Sequence, residues 1–176
     1  VQIFGAMQLT GLHDGLFVLP GTHSKWAQVA DGRVSGFHTY MSGEFFALLS
    51  QQSILSRTLD KDAPPDNDAF ALGVQRAAQA GGLLHHAFGA RTLSLFSRMG
   101  AASLTSYLSG LVIGAELAAQ NFASGTEVVV IGAPALTGRY AQALAIHGVS
   151  ARMLDAQATW AGLLALSNVL PKGLIG

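Results

Sequence analysis

Pro20-Gly21-Thr22-His23-Ser24-Lys25 joins two runs of β-forming residues, Leu16-Phe17-Val18-Leu19 and Trp26-Ala27-Gln28-Val29. A glycine that frees backbone N–H groups, the hydroxyls of Thr22 and Ser24 and the ammonium of Lys25 are the parts of a loop that wraps an anion. His23 either touches that anion or orients the turn. An ordinary polar β-turn has a similar composition, because short motifs recur by chance. Position in the fold has to separate the two readings.

Two other segments carry candidate chemistry. Gly132-Ala133-Pro134 follows the apolar run 128–131. A glycine at the carboxyl end of a parallel strand lets backbone approach a ligand closely, in the crevice where such sheets bind ligands. A plain strand-to-helix turn with proline at the first helical position accounts for the same residues. Ser42-Gly43-Glu44 closes a strand and opens a helix, and the helix macrodipole alone favours Glu44 there. Gly43 and Glu44 are therefore ligand-side candidates only in company with the other two segments.

Other clusters point away from chemistry. His85 and His86, adjacent on a helix, project about 100° apart and do not converge on one ion. Asp60, Asp62, Asp66 and Asp68 have some of the spacing of a calcium loop, but Pro64-Pro65 and the missing Gly and terminal Glu break that pattern. No metal-ligand set is assigned. There is no nucleophile elbow or Ser-His-Asp order, and Ile131-Gly132-Ala133-Pro134 fails the G-x-G-x-x-G dinucleotide fingerprint. Gly110, Gly114 and Ala115, and later Ala158, Ala161 and Gly162, put small residues on helix faces, for close packing or for a hinge between lobes.

The secondary structure that carries these residues follows from periodicity and punctuation. Strands are predicted at about 16–20, 25–30 and 33–41, with Asp31-Gly32 as the second hairpin turn. Phe37, Thr39 and Met41 share one face of the third strand. A helix starts at Ser42, the expected N-cap, with Phe45, Phe46, Leu48 and Leu49 as its apolar stripe. Two prolines and the Asp cluster make 60–68 a loop. Asp68 is the expected cap of a helix running to about Ala80, closed by Gly81-Gly82. Helices follow near 83–98 and 101–121, then a buried parallel strand within 125–131. Pro134 opens a helix to His147, 149–154 is a strand, 159–168 a helix, and 171–176 a tail. The order is β-β-β-α-β-α-β-α with a helical insertion at about 60–100, an α/β fold without internal repeats.

Half of the 176 residues are hydrophobic and only 11% are charged, ten basic against ten acidic. That balance gives no electrostatic footprint for nucleic acid or an anionic membrane. With no cysteine, disulfides and thiolate metal sites are excluded. The apolar stretch 104–119 is interrupted by Glu116 and reads as too short and too polar to cross a bilayer. The first residues lack the pattern of a secretory signal, and the expected location is cytoplasmic. A domain this apolar suits packing against another lobe, a partner or a second copy. The chain starts at Val1-Gln2-Ile3 without an initiator Met, and an amino-terminal portion is expected to precede it.

The segments LPGTHSKWAQV, FHTYMSGEFFALLSQQSIL, VVVIGAPALTGRYAQAL and ATWAGLLAL, spread in that order over nearly the whole chain, resemble the 2-dehydro-3-deoxygalactonokinase family. The resemblance implies an α/β ribonuclease H-like lobe, the carboxy-terminal one of two, in the actin, hexokinase and heat-shock ATPase superfamily. Residues 1–15 would end the inter-lobe connection and 16–170 would form the nucleotide-binding lobe. The implied activity is transfer of the ATP γ-phosphoryl group to the 6-hydroxyl of 2-dehydro-3-deoxy-D-galactonate, a 2-keto-3-deoxy sugar acid of galactonate degradation, with Mg²⁺. Gly21, Thr22, His23, Ser24 and Lys25 would hold the β- and γ-phosphates, with Lys25 adding positive charge to the transfer. Gly132, Ala133 and Pro134 would meet adenosine, and Gly43 and Glu44 its ribose or adenine. The first lobe would carry the other phosphate hairpin, most sugar contacts, Mg²⁺ positioning and the general base, all upstream of Val1. A chain of this extent alone is then expected to be inactive. The reading from a different class is a non-catalytic ATP-binding regulatory or assembly module of the same fold.

Overall fold

Five strands form one mixed sheet in the computed structural model, which describes residues 1–169. They are β1 (Gly15–Leu19), β2 (Ser24–Ala30), β3 (Arg33–Tyr40), β4 (Glu127–Ile131) and β5 (Ser150–Leu154), in the order β3-β2-β1-β4-β5. β1, β2 and β3 pair antiparallel, whereas β1–β4 and β4–β5 are parallel. The helices are α1 (Gln2–Thr10), α2 (Ser42–Gln51), α3 (Asn67–Ala77), α4 (Gly82–Leu95), α5 (Ala101–Ala118), α6 (Pro134–Ile146) and α7 (Gln157–Val169), with a 3₁₀ turn at Ile54–Arg57. The expected tail, 171–176, lies outside the described residues.

Alternation along the strands feeds two cores. Val18, Trp26, Val128 and Val130 face Phe70 and Val74 of α3, Ile113 and Leu117 of α5, and Tyr140 and Leu144 of α6. Phe17, Ala27, Val29, Val129 and Ile131 face Ala6 and Met7 of α1 and Ala158 of α7. β4, EVVVI, is apolar on both faces because helices cover both. At the sheet edge, β3 is mostly exposed, and the Phe37–Thr39–Met41 face looks to solvent. A third core joins α3, α4 and α5 around Leu104, Leu108 and Leu111. The segment 60–100 therefore does two jobs: α3 reaches the sheet, while α4 packs outside on α5.

Two expected caps move. Asp66, not Asp68, caps α3: its extended backbone sets the side chain to accept from Ala69 N at 2.9 Å, and Ser103 Oγ adds a bond at 2.6 Å. These two donors hold the Asp66 carboxyl below its usual pKa, the Ala69 N–H being the stronger cause. Helix α3 then ends at Ala77, short of Ala80. At α2 the N-cap is Met41, and Ser42 lies inside the first turn with its hydroxyl turned into the protein. The Asp31-Gly32 hairpin forms as expected, both residues having positive φ.

α5 also corrects the length argument against a membrane span. Its 18 residues are long and apolar enough, with mean hydropathy 1.2, but 67% of that stretch is buried inside the fold. Burial, rather than length, identifies it as a core helix.

The small residues on helix faces serve packing within the chain. A Cβ at Gly110 would overlap the Phe70 carbonyl, and one at Gly73 the Tyr107 carbonyl, so α3 and α5 cross backbone to backbone. Gly5 and Gly162 do the same for α1 and α7. Gly110→Ala should therefore cost about 3 kcal/mol by overpacking. Gly138→Ala, on α6 with open space around it, should gain about 0.5–1 kcal/mol through helix propensity alone. Urea unfolding of the two variants checks this, and equal midpoints would contradict it.

Candidate nucleotide site and a buried carboxylate

The turn between β1 and β2 spans residues 20–23, so Ser24 and Lys25 are the first residues of β2. Strand alternation sends their side chains to opposite faces. Ser24 is fully buried, and its hydroxyl donates to Glu116 Oε1 at 2.6 Å. Lys25 Nζ bends back to donate to the His23 carbonyl at 2.8 Å. His23 and Thr22 are exposed at the tip. His23 Nε2 meets Glu44 Oε2 at 2.6 Å, which fixes its ring against α2.

The start of α2 abuts this turn. Glu44 N donates to the Thr22 carbonyl at 2.9 Å, satisfying one of the open helix N–H groups. A Cβ on Gly43 would overlap the backbone of Gly21 and Thr22, so only glycine permits the approach. Gly43 and Glu44 thus sit beneath the phosphate candidate, bracing it. Gly132 ends β4 and donates its N–H to the Leu154 carbonyl at 3.0 Å. A Cβ on Gly132 would lie 3.8 Å from the Pro20 carbonyl oxygen, so the two sequence candidates, the turn and the β4 corner, share one end of the sheet.

A cavity of about 460 Å³ opens beside the turn. Gly21 and Thr22, Ser42, Gly43 and Phe46 of α2, Lys61 and Pro65 of the following loop, Ser106, Ser109 and Ile113 of α5, and Leu136, Arg139 and Tyr140 of α6 line it. Of the residues singled out from sequence, Gly21, Thr22 and Gly43 reach it. Pro134 lies in an adjoining groove with Arg139 and Gly138. His23, Ser24, Lys25, Glu44, Gly132 and Ala133 do not line the cavity. Arg139 is half-buried, donates to Ser109 Oγ at 2.9 Å and lies 5.6 Å from the Phe70 ring centre. Burial lowers its pKa, and among the described residues no carboxylate pairs with it to oppose that. The cavity therefore combines apolar walls, a row of hydroxyls and two cationic side chains, a lining suited to an anionic ligand with an apolar body.

Glu116 is the residue that sequence reasoning passed over. It is 3% exposed, and no cation pairs with it among the described residues. Four neutral donors replace one: Ser24 Oγ and Trp26 Nε1 on Oε1, each at 2.6 Å, and Ser42 Oγ and Tyr140 Oη on Oε2, the latter at 2.8 Å. Burial, and then the neighbouring carboxylate, push the Tyr140 phenol well above its ordinary pKa, so it stays a donor. The signal in the sequence was a lone Glu in an apolar helix, since a buried Glu is almost always bonded to something. His86, by contrast, is buried in α4 with Nε2 on the Gln79 carbonyl at 3.1 Å, a structural contact. Among the described residues no three side chains of metal-binding type converge.

The family model for 2-keto-3-deoxy-galactonokinase matches residues 1–166. A probable 2-dehydro-3-deoxygalactonokinase of Rhizobium meliloti (strain 1021) is 35% identical over 96% of this chain and 57% of its own length. The 2-dehydro-3-deoxygalactonokinase of Escherichia coli (strain K12) is 32% identical over 84% of this chain and 50% of its own. A crystal structure of a protein from Sinorhizobium meliloti, described as a 2-dehydro-3-deoxygalactonokinase, superposes with a TM-score of 0.87 at 34% identity, over 96% of this chain and 58% of that one. The chain belongs to the 2-keto-3-deoxy-galactonokinase family. It spans about half the length of the curated relatives it matches.

Proposed function

We propose that this chain is the nucleotide-binding half of an ATP-dependent sugar-acid kinase. In that reading the complete protein transfers the γ-phosphoryl group of ATP to the 6-hydroxyl of 2-dehydro-3-deoxy-D-galactonate, in galactonate degradation in the cytoplasm. Family membership supports the substrate, and the sheet order β3-β2-β1-β4-β5 with helices on both faces supports a ribonuclease H-like lobe of the actin and hexokinase type. The observation that carries the nucleotide reading is the meeting of the Gly21-Thr22 turn, the Gly43 approach and the Arg139 cation around one cavity.

Phosphoryl transfer is governed by positioning and charge stabilisation. The backbone N–H groups and Thr22 hydroxyl of the turn, with Lys25 close by, are our assignment for the β- and γ-phosphates. Ser24 contributes by anchoring the turn from below, and His23 by orienting it through Glu44. Gly132, Ala133 and Pro134, at the β4 corner, flank the adenosine. Mg²⁺ would travel with the nucleotide phosphates, because the carboxylates that touch this region are already engaged, Glu44 by His23 and Glu116 by its four donors. No residue of this chain is assigned to the metal. The general base that takes the 6-hydroxyl proton, and most sugar contacts, belong in this reading to the part of the relatives' length that the chain does not span.

ADP release by the complete gene product, with and without 2-dehydro-3-deoxy-D-galactonate, tests the proposal. Sugar-acid-dependent turnover that requires both ATP and Mg²⁺ is the expected result. Nucleotide binding without phosphorylation of any sugar acid would replace it with the non-catalytic module.

A further inference from the structure

Ser24 is the strand residue that directly follows the turn, Ser42 comes from the start of α2 and Tyr140 from the helix after the β4 corner. These are the three regions that the sequence marked independently, and all three donate to one carboxylate. We infer that Glu116 is the positioning residue of the nucleotide site, an internal clamp that fixes the phosphate turn relative to α2 and α6. The inference rests on the nucleotide reading above.

Glu116 is absent from the lining of the cavity beside the turn and reaches instead a neighbouring cavity of about 520 Å³, with Ser42 and Val112 in the wall common to both, so at the turn it acts through its donors rather than on ligand. A buried carboxylate costs desolvation that an apolar residue of similar size would avoid. Neutral donors offset that cost only if they converge, and convergence here fixes residues 92, 74 and 24 positions away in sequence. A single acceptor with two oxygens can join three elements at once. Oε1 holds β2 through Ser24 and Trp26, and Oε2 holds α2 and α6. The turn's backbone is thereby held in place before any anion arrives. Preorganised donors of this kind stabilise developing charge without reorganising. The Trp26 indole, bonded to the same Oε1 as Ser24, is a built-in reporter of the clamp.

The test uses the complete protein with Glu116→Gln, which keeps the shape and one oxygen but turns the other acceptor into a donor. ATP affinity is measured by calorimetry under conditions where urea titration finds the variant fully folded. The Trp26 indole N–H resonance, assigned by its loss in Trp26→Phe, is followed by NMR, since that N–H is bonded to Glu116. Positioning predicts ATP affinity weaker by about tenfold or more, and a Trp26 response to ATP that the wild type gives and Glu116→Gln loses. Where Glu116→Gln does not fold, Ser24→Ala serves instead: it removes one donor, leaves the carboxylate and changes nothing in the cavity wall, so it should weaken ATP binding several-fold, and unchanged binding overturns the inference. A folded Glu116→Gln that binds ATP as the wild type does overturns the inference alone. A wild type that binds no ATP overturns the nucleotide reading together with it.

Discussion

Replacing Glu116 with leucine should destabilise the protein more than any other single side-chain change in this site. The variant has the right size for the space and even a better hydrophobic transfer energy. It also leaves Ser24, Trp26, Ser42 and Tyr140 with buried hydrogens and no acceptor. Each unsatisfied buried donor costs about 1–3 kcal/mol, and rotation of the three hydroxyls can relieve part of that sum. The indole N–H of Trp26, 1% exposed, cannot rotate away. A net loss of about 4 kcal/mol is expected, a large share of the roughly 5–15 kcal/mol that stabilises a typical domain. Urea unfolding gives the measurement. A loss below about 1 kcal/mol would mean that the four donors find other partners, and the clamp would lose its energetic basis.

The largest effect on activity should come from Lys25→Ala in the complete protein. Lys25 joins neither of the two ion pairs among the described residues, and its contact is with the carbonyl of His23 in the turn itself. A cation held at the edge of an anion-binding turn, without a carboxylate to neutralise it, acts mainly on the ligand. Removing one such preorganised group typically costs about 10²–10³ in rate, whereas a half-buried lysine outside both ion pairs contributes within about 0.5 kcal/mol to folding. Steady-state kinetics with ATP varied should therefore give kcat/KM lower by about 10²-fold with an unchanged unfolding midpoint. Ser24→Ala should behave differently. Its hydroxyl belongs to Glu116, so stability and ATP affinity should fall together. Kinetics unchanged by Lys25→Ala would move the phosphate site away from this turn.

Much of the fold was legible because its signals are local. The Asp31-Gly32 hairpin, the apolar β4 and the proline at the start of α6 each lie within a few residues of the structure they specify, and each formed as read. The misplaced caps show the limit of that logic. Asp66 and Asp68 are equally good cap residues by type, and the choice fell to Asp66 because Ser103, 37 residues away, completes its bonding. Ser42 likewise had the chemistry of an N-cap, but a buried acceptor from α5 took its hydroxyl.

The candidate site divides along the same line. Local sequence was enough to specify the elements and the three segments with ligand-binding composition, the glycine-bearing turn among them, because hydrogen-bonding type and backbone freedom are properties of neighbouring residues. The part each residue plays there came from tertiary packing. Packing buried Ser24 and left Thr22 at the cavity, set Gly43 against the turn, brought Arg139 into the wall, and made Glu116 the common acceptor. Those roles depend on which helix crosses which strand. The crossings are set by backbone contacts such as Gly110 on Phe70, between residues 40 positions apart, which no local pattern encodes.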